Sequence, residues 1–583
     1  MSPPTKWMIR SRTVAMSGCL ARNRSPRSIA SSLHSAWTGV TPTTLHLSEE
    51  AAMERSSILR RTLINQACDY CRYRKRRCDR LVPRCTMCVE KGQQCRYSES
   101  LPWQDDLPEA SVQAIQLSHG SPALVPTQSD FPAVFFLDHA MFKHSRVTLP
   151  LSPKLHFAPC LLETLGQADS VSKRYFGWAH LWMPIVSKRR WESQFMMPHA
   201  PPRADVQLLL FSMNLVMWSP SQRGRRLNPR TEQYLSLKRA FLDAEITGLI
   251  SMPLLQAMIL TSIYEVGHAI YPAAYMSIGS CVRLALALEL EKQRQVDLDS
   301  SHYDLEDQEE RRRVWWAVII LDRIDIQNRP TSPDPRATDL LPIDDQDWDD
   351  GIIQPDQIQT VSAPSSSKLG MLARLSQAVY LLGKVLRHKH DPTDDPNFNQ
   401  HERLQIDKSL RALLRLAYQG DSVPVTAICP QTAMCFGALI ELHFLGYMEA
   451  QGSGSLKARP RAKAMQATLD LLRPVVGQAC QDSSVWFRNR PFTLAEASPL
   501  LLPWTYQAAL TFLRLVHWFQ ILDQSEISEP SRENRSEENQ RCIMEANQGA
   551  ASMMRKLSLL GSQWCASDSY VRILKARISS NAV

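Results

Sequence analysis

The 583-residue sequence predicts a mostly α-helical protein made of a small cysteine-rich domain, a flexible linker and a large all-helical domain. Six cysteines fall between residues 68 and 95, and eight prolines fall between residues 102 and 159. From about residue 171 apolar residues recur at three- and four-residue steps, which is the period of a helix face. Glycine is only 21 of 583 residues, below the ~7% of an average protein, and this favours helices over turn-rich β-architectures.

These signals divide the chain into five segments. They are a disordered basic tail (1–60), the cysteine-rich domain (61–98), a Pro-rich linker (99–170), the all-helical domain (171–525), and a polar linker with a C-terminal helical tail (526–583). A natural start at Met53 would remove most of the basic tail. Because Pro-rich polar segments stay extended or disordered, the linker is expected to carry no fold of its own.

The cysteines form an internal repeat with the spacing C-x2-C-x6-C-x6-C-x2-C-x6-C. A shift of 17 residues brings the first triplet onto the second: Cys68, Cys71, Cys78 and Cys85, Cys88, Cys95. Zinc prefers four tetrahedral ligands and binds thiolates well. Six cysteines could form one site with spare ligands, or two sites that share two bridging thiolates. A redox, iron–sulfur or disulfide framework is the weaker alternative.

Positive charge is concentrated beside the first triplet. Residues 61–97 carry 10 Lys/Arg against 3 Asp/Glu, whereas residues 98–583 carry 49 against 52. Five of the six residues between Cys71 and Cys78 are basic, but the matching interval of the second repeat contains only Lys91, next to Glu90. Phosphate neutralisation needs such a patch, so the first repeat is expected to face DNA.

At every cysteine the segment resembles the fungal zinc binuclear cluster family of transcription factors. The resemblance implies two zinc ions bridged by Cys68 and Cys85. It also implies a short helix that enters the major groove of double-stranded DNA and reads a CGG-type triplet through Arg74 and Lys75. Guanine presents O6 and N7 acceptors, which suit Arg and Lys donors.

The flanking polar residues are expected to position the domain rather than to read bases. Arg72, Arg77 and Gln66 are candidates for phosphate contacts. The alternative is that these basic residues only solvate the surface or serve as a nuclear import signal. Pro83, in the loop between the repeats, would help to return the chain to both metals.

Dimerisation receives no support from the linker. Its best heptad candidate, ASVQAIQL from Ala110, is barely one heptad, and a coiled coil requires three or four. A homodimer therefore remains an open alternative without an evident coiled coil.

The helical region carries the second resemblance. Its blocks RYFGWAHLWMPIVSKRRWESQF, YEVGHAIYPAAYMSIGSCVRLALALEL and EERRRVWWAVIILDRI resemble the fungal-specific middle homology region, an all-helical regulatory domain. This implies contacts with the transcription machinery or co-regulators. The second block also resembles members that govern secondary-metabolite gene clusters.

Two helices can be assigned faces from their periodicity. The spacing predicts one buried face made of Tyr275, Ile278, Val282, Ala285 and Leu286. Residues Val314 to Leu321 are apolar nearly all round, which predicts a core helix, and the acidic residues before them suit the positive end of its dipole.

An enzymatic function is not supported by the motifs. A terpene-synthase DDxxD motif would need an aspartate where Trp348 stands, so the acidic residues from Asp344 to Asp350 are interpreted as a solvated loop. His268 lacks a nearby ligand partner and is expected to be structural. The remaining alternative is a small-molecule sensor, or a helical enzyme, that carries the zinc module as a DNA tether.

No apolar run of 18 uninterrupted residues occurs, so a membrane partner is not expected. The sequence therefore predicts a sequence-specific regulator of RNA polymerase II transcription in a fungal nucleus.

Overall fold

In a computed structural model the chain forms two compact units, residues 1–121 and 122–583. The described residues are 67–80, 84–93, 95, 155–195, 202–222, 225–292, 302–324, 326–364, 366–418, 430–451, 458–478, 485–487, 490–492, 497–525 and 532–580. The basic tail, Gln66, Pro83, the heptad candidate from Ala110 and most of the linker lie outside them.

In its described residues the first unit contains two short helices, each of which begins directly after a cysteine. They are α1 (Asp69–Tyr73) and α2 (Thr86–Glu90). Their starts are 17 residues apart, which is the offset of the cysteine repeat.

The second unit is built from helices. Its first half contains α3 (Pro159–Leu165), α4 (Ala168–Gly177), α5 (Lys188–Phe195), α6 (Ala204–Val216), α7 (Glu232–Ile246), α8 (Met252–Gly267), α9 (Ala273–Ala287) and α10 (His302–Asp322). Its second half contains α11 (Asp345–Asp349), α12 (Met371–His390), α13 (Pro396–Tyr418), α14 (Pro430–Gln451), α15 (Ala458–Gln478), α16 (Leu501–Ser525), α17 (Arg532–Leu560) and α18 (Ala566–Ser579).

Two short antiparallel strand pairs accompany these helices. Strand β1 (Ser221–Gln222) pairs with β2 (Arg225–Arg226), and β3 (Val485–Phe487) pairs with β4 (Arg490–Phe492). One-turn 3-10 helices occur at Ala179–Leu181 and Pro355–Gln357. The predicted fold class, mostly α with a cysteine-rich unit before a helical one, is confirmed.

Local capping explains where several helices begin. The hydroxyl of Thr231 accepts a hydrogen bond from the Tyr234 N–H at the start of α7, and Ser251 does the same for Leu254 at the start of α8. Such side chains satisfy one of the donors that a helix start leaves free. Pro253 in the first turn of α8 has no N–H that would need a partner.

Helices α8, α10 and α16 supply many of the buried residues of the core. Helix α8 buries 13 of its 16 residues, which include the polar Gln256 and Glu265. Every residue from Val314 to Leu321 in α10 is at most 3% exposed, so the predicted core helix is confirmed. The most extensive helix pairings are those of α16 with α17, α6 with α8, and α12 with α14.

The predicted face of α9 is only partly correct. Val282 and Ala285 are fully buried, but Tyr275 is 57% exposed and Leu286 is 37% exposed. Small residues face the core instead, including Ala274 and Cys281, and they allow α9 to approach α8 closely. The larger apolar side chains therefore lie on the outer flank.

The acidic segment is not the solvated loop that the sequence predicts. Asp344 caps α11 by accepting a hydrogen bond from the Gln346 N–H at 3.0 Å. Asp345 is 2% exposed and pairs with the buried Arg313 of α10 at 2.8 Å. The guanidinium of Arg313 also pairs with Glu309 at 2.8 Å, so acidic residues of α10 join a buried network instead of only facing a helix dipole.

Residues 532–580 continue the same core. The indole N–H of Trp564 donates to the Ala497 carbonyl at 2.9 Å, and Gln563 donates to the Trp218 carbonyl at 3.0 Å. Arg226 and Asp568 form an ion pair at 2.6 Å. The last described helices thus pack against the first half of the unit.

His268 is a buried structural residue in this region. It is 3% exposed, and its Nδ1 accepts a hydrogen bond from the Cys565 N–H at 3.3 Å. Burial lowers the pKa of His268 to about 3, with a further contribution from Arg226. Within the described residues no helix is long and apolar enough to cross a bilayer.

Candidate metal centre and nucleic-acid interface

The cysteine sulfurs of the first unit converge on one cluster. Cys68 Sγ lies 3.7 Å from Cys85 Sγ and 3.6 Å from Cys88 Sγ, and Cys71 Sγ lies 3.8 Å from Cys85 Sγ. These four side chains have no exposed surface. Cys78 and Cys95 are partly buried and pack against them.

The sulfur spacing fits tetrahedral zinc. With Zn–S bonds of ~2.3 Å, the edge of a ZnS4 tetrahedron is about 3.8 Å, which agrees with the measured separations. Cys85 belongs to two groups of ligand atoms, one with Cys68, Cys71 and Cys88 and one with Cys78 and Asp79. The backbone N–H of Cys85 also donates to Cys95 Sγ at 3.2 Å, so this residue contacts both ends of the array.

The thiols need a cation to ionise. Burial raises the pKa of Cys68 and Cys85 to about 11 and also raises the pKa of Cys71 and Cys88. For Cys95 burial acts in the same direction and is the largest single effect, but the hydrogen bond from the Cys85 N–H and those with the neighbouring cysteine side chains together outweigh it and lower the pKa. Since zinc binds thiolates, metal uptake at neutral pH displaces protons from these sulfurs.

The two repeats share one backbone shape. Helix α1 is followed by Lys75 at φ +49°, and the Arg76 N–H donates to the Cys71 carbonyl at 2.9 Å. Helix α2 is followed by Gly92 at φ +59°, and the Gln93 N–H donates to the Cys88 carbonyl at 2.8 Å. Each helix therefore ends with a left-handed residue and a bond that spans five residues.

A lysine occupies the position where the second repeat has glycine. An L-residue in the left-handed region is strained by about 1–2 kcal/mol, whereas glycine is not. Cysteine spacing alone does not indicate the strain at Lys75, but the 17-residue offset aligns this lysine with Gly92 and is the signal that could reveal it. Strained residues of this kind occur preferentially at functional sites.

The carboxylate of Asp79 links the two repeats through a hydrogen bond that does not involve a metal ion. Asp79 follows the third cysteine and accepts a hydrogen bond from the Thr86 N–H at 3.0 Å, at the first turn of α2. A negative charge at a helix N-terminus is favourable. This contact helps to hold the second helix against the end of the first repeat.

The described basic side chains of the first repeat are exposed to solvent. Arg74, Lys75, Arg76 and Arg77 are all exposed. The backbone of Arg72 lies in α1, but its side chain, like Gln66, is outside the described atoms. At the positions that match Arg74 and Lys75, the second repeat has Lys91 and Gly92.

Two family models match the chain. The Fungal Zn(2)-Cys(6) binuclear cluster domain matches residues 66–104, and the Fungal specific transcription factor domain matches residues 173–414. The matched cluster domain binds two zinc ions, and the six cysteines of this chain supply the thiolates for them.

Curated relatives are transcription factors of fungi. The chain is 35% identical over 179 residues to transcription factor BOA15 of Botryotinia fuckeliana, which covers 31% of this chain and 98% of that protein. It is 24% identical over 304 residues to the tropolone cluster transcription factor tropK of Talaromyces stipitatus, covering 44% of this chain and 54% of that protein. It is 24% identical over 404 residues to the azaphilone cluster-specific transcription factor azaR of Aspergillus niger, covering 64% of this chain and 83% of that protein.

The order of the two matched domains is the order that the cysteine array and the helical blocks predict. The chain belongs to the fungal Zn(2)-Cys(6) binuclear cluster family of transcription factors.

Proposed function

We propose that the first repeat of the cluster reads a CGG-type triplet in the major groove of DNA through Arg74 and Lys75. The supporting observation is the run of exposed basic residues 74–77 after α1, whereas the second repeat has only Lys91 at the matching positions despite its matching backbone. Arginine and lysine side chains can donate to guanine O6 and N7, and a good pair of such bonds discriminates by ~1–3 kcal/mol.

Arg72, Arg77 and Gln66 contact phosphates in this proposal. Their contribution would be the same for every DNA sequence and would weaken as salt rises. The exposure of Arg77 and the position of Arg72 within α1 support this division.

Cys68 and Cys85 bridge the two zinc ions in this proposal. They are the first cysteines of their repeats, their sulfurs are 3.7 Å apart, and both belong to the four-sulfur group. The remaining four cysteines then complete the two tetrahedra, two for each ion.

The second unit regulates this DNA-binding activity through co-regulators or the transcription machinery, in the fungal nucleus. Its match to the fungal-specific transcription factor domain supports a regulatory role rather than catalysis. The similarity to the cluster transcription factors tropK and azaR supports the further proposal that the target is a secondary-metabolite gene cluster. A homodimer would add a second triplet, and the spacing of bound triplets in the genome would report it.

The proposal is tested by a matched pair of variants. Arg74 and Lys91 occupy equivalent positions 17 residues apart, so Arg74→Ala and Lys91→Ala each remove one exposed cation after a cluster helix. Affinities of the zinc-loaded full chain are measured at fixed salt for a CGG duplex and for duplexes with altered triplets. Arg74→Ala is expected to lose the preference for CGG by about tenfold or more, while Lys91→Ala keeps it. Equal loss of preference in both variants would contradict the proposal.

The genomic role has its own test. Binding sites of the intact protein are mapped in the fungus, and transcripts are compared after deletion of the gene. Binding at the promoters of one biosynthetic cluster, with altered transcription of that cluster, is the expected result. Binding that shows no enrichment of CGG triplets would overturn the assignment.

A further inference from the structure

The second unit contains a cavity of about 550 Å3 whose walls are formed mainly by α14, α15 and α16. Pockets of ~300–1,000 Å3 accept drug-sized ligands. Apolar side chains dominate its lining, including Met434, Ile440 and Met465. Tyr271 and Tyr275 also line it and are 51% and 57% exposed, so the mouth lies between the end of α8 and the start of α9.

One hydrogen-bond donor on the cavity wall has no acceptor. Trp504 lines the cavity and is 3% exposed, yet its indole N–H has no partner among the described residues. Its ring stacks on Phe436 with centroids 5.4 Å apart, which fixes the orientation of the indole. A buried donor without a partner destabilises the folded chain, and an acceptor on a ligand would remove this cost.

One guanidinium on the wall forms no ion pair with the described residues. Arg514 lines the cavity, with its guanidinium carbon 4.9 Å from the ring centroid of Phe444. No carboxylate of the described residues lies within ion-pair distance of it. The nearest wall carboxylate, Glu441, is paired with Lys389 at 2.5 Å.

The electrostatic environment of this wall is positive. Lys556 is 2% exposed, has no ion pair among the described residues, and lies 5.4 Å from the ring centroid of Trp504. Burial lowers the pKa of Lys556 to about 8, which leaves the ammonium mostly charged at neutral pH. A second wall arginine, Arg323, is already paired with Asp334 at 3.1 Å. The unpaired charges near the wall are therefore cationic.

We propose that this cavity binds a largely apolar aromatic anion, with its acidic group at Arg514 and its rings among the apolar side chains. Aromatic rings pack well against the Trp, Phe and Tyr side chains of the wall. A carboxylate or sulfonate would pair with the Arg514 guanidinium, and a separate acceptor on the ligand would be needed for the Trp504 N–H, ten residues earlier on α16. The inference concerns ligand binding by the helical unit and is independent of which DNA triplet the cluster reads.

A matched pair of fluorescent probes tests both parts of the proposal. Anilinonaphthalene sulfonate is an aromatic anion, and phenylnaphthylamine has the same rings without the sulfonate. Each is titrated into the zinc-loaded full chain. Saturable uptake of one sulfonate probe per chain, tighter than uptake of the neutral probe, is the expected result. Absence of saturable binding of the sulfonate probe would overturn the proposal.

Variants locate the bound probe. Arg514→Gln is expected to weaken the sulfonate probe about tenfold and leave the neutral probe unchanged, while Arg514→Lys retains most of the affinity. Arg174→Gln, an exposed arginine on α4, is the control and should change neither probe. Equal effects of Arg514→Gln on both probes would show that the anionic group does not meet this residue, and would overturn the assignment.

Filling the cavity provides an independent test. A Cβ at Gly437, on the wall, would make only ordinary contacts, 3.4 Å from Gln507 Oε1 and 3.8 Å from Trp504 Cβ. Gly437→Ala is expected to fold normally, and Gly437→Leu to exclude both probes. Circular dichroism and thermal midpoints report folding, and unchanged sulfonate binding in a folded Gly437→Leu protein would place the probe elsewhere and refute the site.

Discussion

Replacing Lys75 with glycine separates the strain at this residue from its proposed contact with DNA. The lysine sits at φ +49°, and its counterpart Gly92 sits at φ +59°. This conformation destabilises a residue with a Cβ by about 1–2 kcal/mol, and glycine removes that strain. Glycine also makes the unfolded chain more flexible, which offsets about 0.5–1 kcal/mol of the stabilisation. Lys75→Gly is therefore expected to stabilise the cluster by up to about 1 kcal/mol, and Lys75→Ala to leave its stability nearly unchanged.

The two variants should share one loss. Both remove the ammonium, so both should lower the preference for CGG over altered triplets by about fivefold to 150-fold, from the ~1–3 kcal/mol of a base contact. Competition with a chelator measures cluster stability in the full chain, where 1 kcal/mol corresponds to about fivefold in zinc retention. Duplex titrations at fixed salt measure the preference.

Gly92→Ala is the matched control. A Cβ at Gly92 meets no atom within 4 Å, so this variant adds only backbone strain. It should weaken zinc retention by about fivefold and leave the CGG preference intact. The reasoning is refuted if Lys75→Gly loses affinity equally for all duplexes, or if it retains zinc less well than Lys75→Ala.

Three further outcomes follow from the packing and the metal centre. Cys85→Ser should remove both zinc ions, since Cys85 contacts both ends of the array; one zinc per chain by elemental analysis would argue against bridging. Gly267→Ala should destabilise the helical unit by about 1–3 kcal/mol, because its Cβ would overlap the indole of Trp564. Gly279→Ala is the control, since the space around this residue is open. Equal shifts of the denaturant midpoint in both variants would contradict this. The pKa of His268 falls from 6.5 when unfolded to about 3 when folded, so the unfolded chain alone gains a proton below pH 6.5, and about 2 kcal/mol of stability should be lost by pH 5. His268→Asn, which keeps an acceptor for the Cys565 N–H, should flatten that dependence, and an unchanged slope would assign it to another group.

The metal centre could be predicted because its information is local. Ligand type and spacing alone place six sulfurs within reach of one another, and the sulfur distances bear this out. The burial of the segment from Val314 to Leu321 could be predicted equally well, because a helix that is apolar all round is stable only in a core.

Interactions between distant residues could not be predicted in the same way. The acidic segment at Asp345 has the composition of a solvated loop, but distant partners hold this carboxylate in the interior, including Arg313, 32 residues earlier, and the Leu372 N–H, 27 residues later. Periodicity predicted that Tyr275 lies on the buried face of α9, but it is exposed. The spacing of apolar residues does not show which neighbouring helices cover each side chain. Among the described residues, the Trp504 N–H without an acceptor and the Arg514 guanidinium without an ion pair depend likewise on how the surrounding helices pack.

The packing of Trp564 against the first half of the helical unit has a consequence for synthesis on the ribosome. Leu560, Trp564, Ala566 and Leu574 are fully buried, and residues 563 and 568 bond to residues 218 and 226. More than 330 residues separate these partners, so this part of the core closes only after nearly the whole unit has been translated. Until then α8 presents its Gly267 face to solvent, and a nascent chain shortened before residue 560 lacks the side chains that cover it. Chaperone engagement is therefore expected to persist until the final helices have emerged from the exit tunnel.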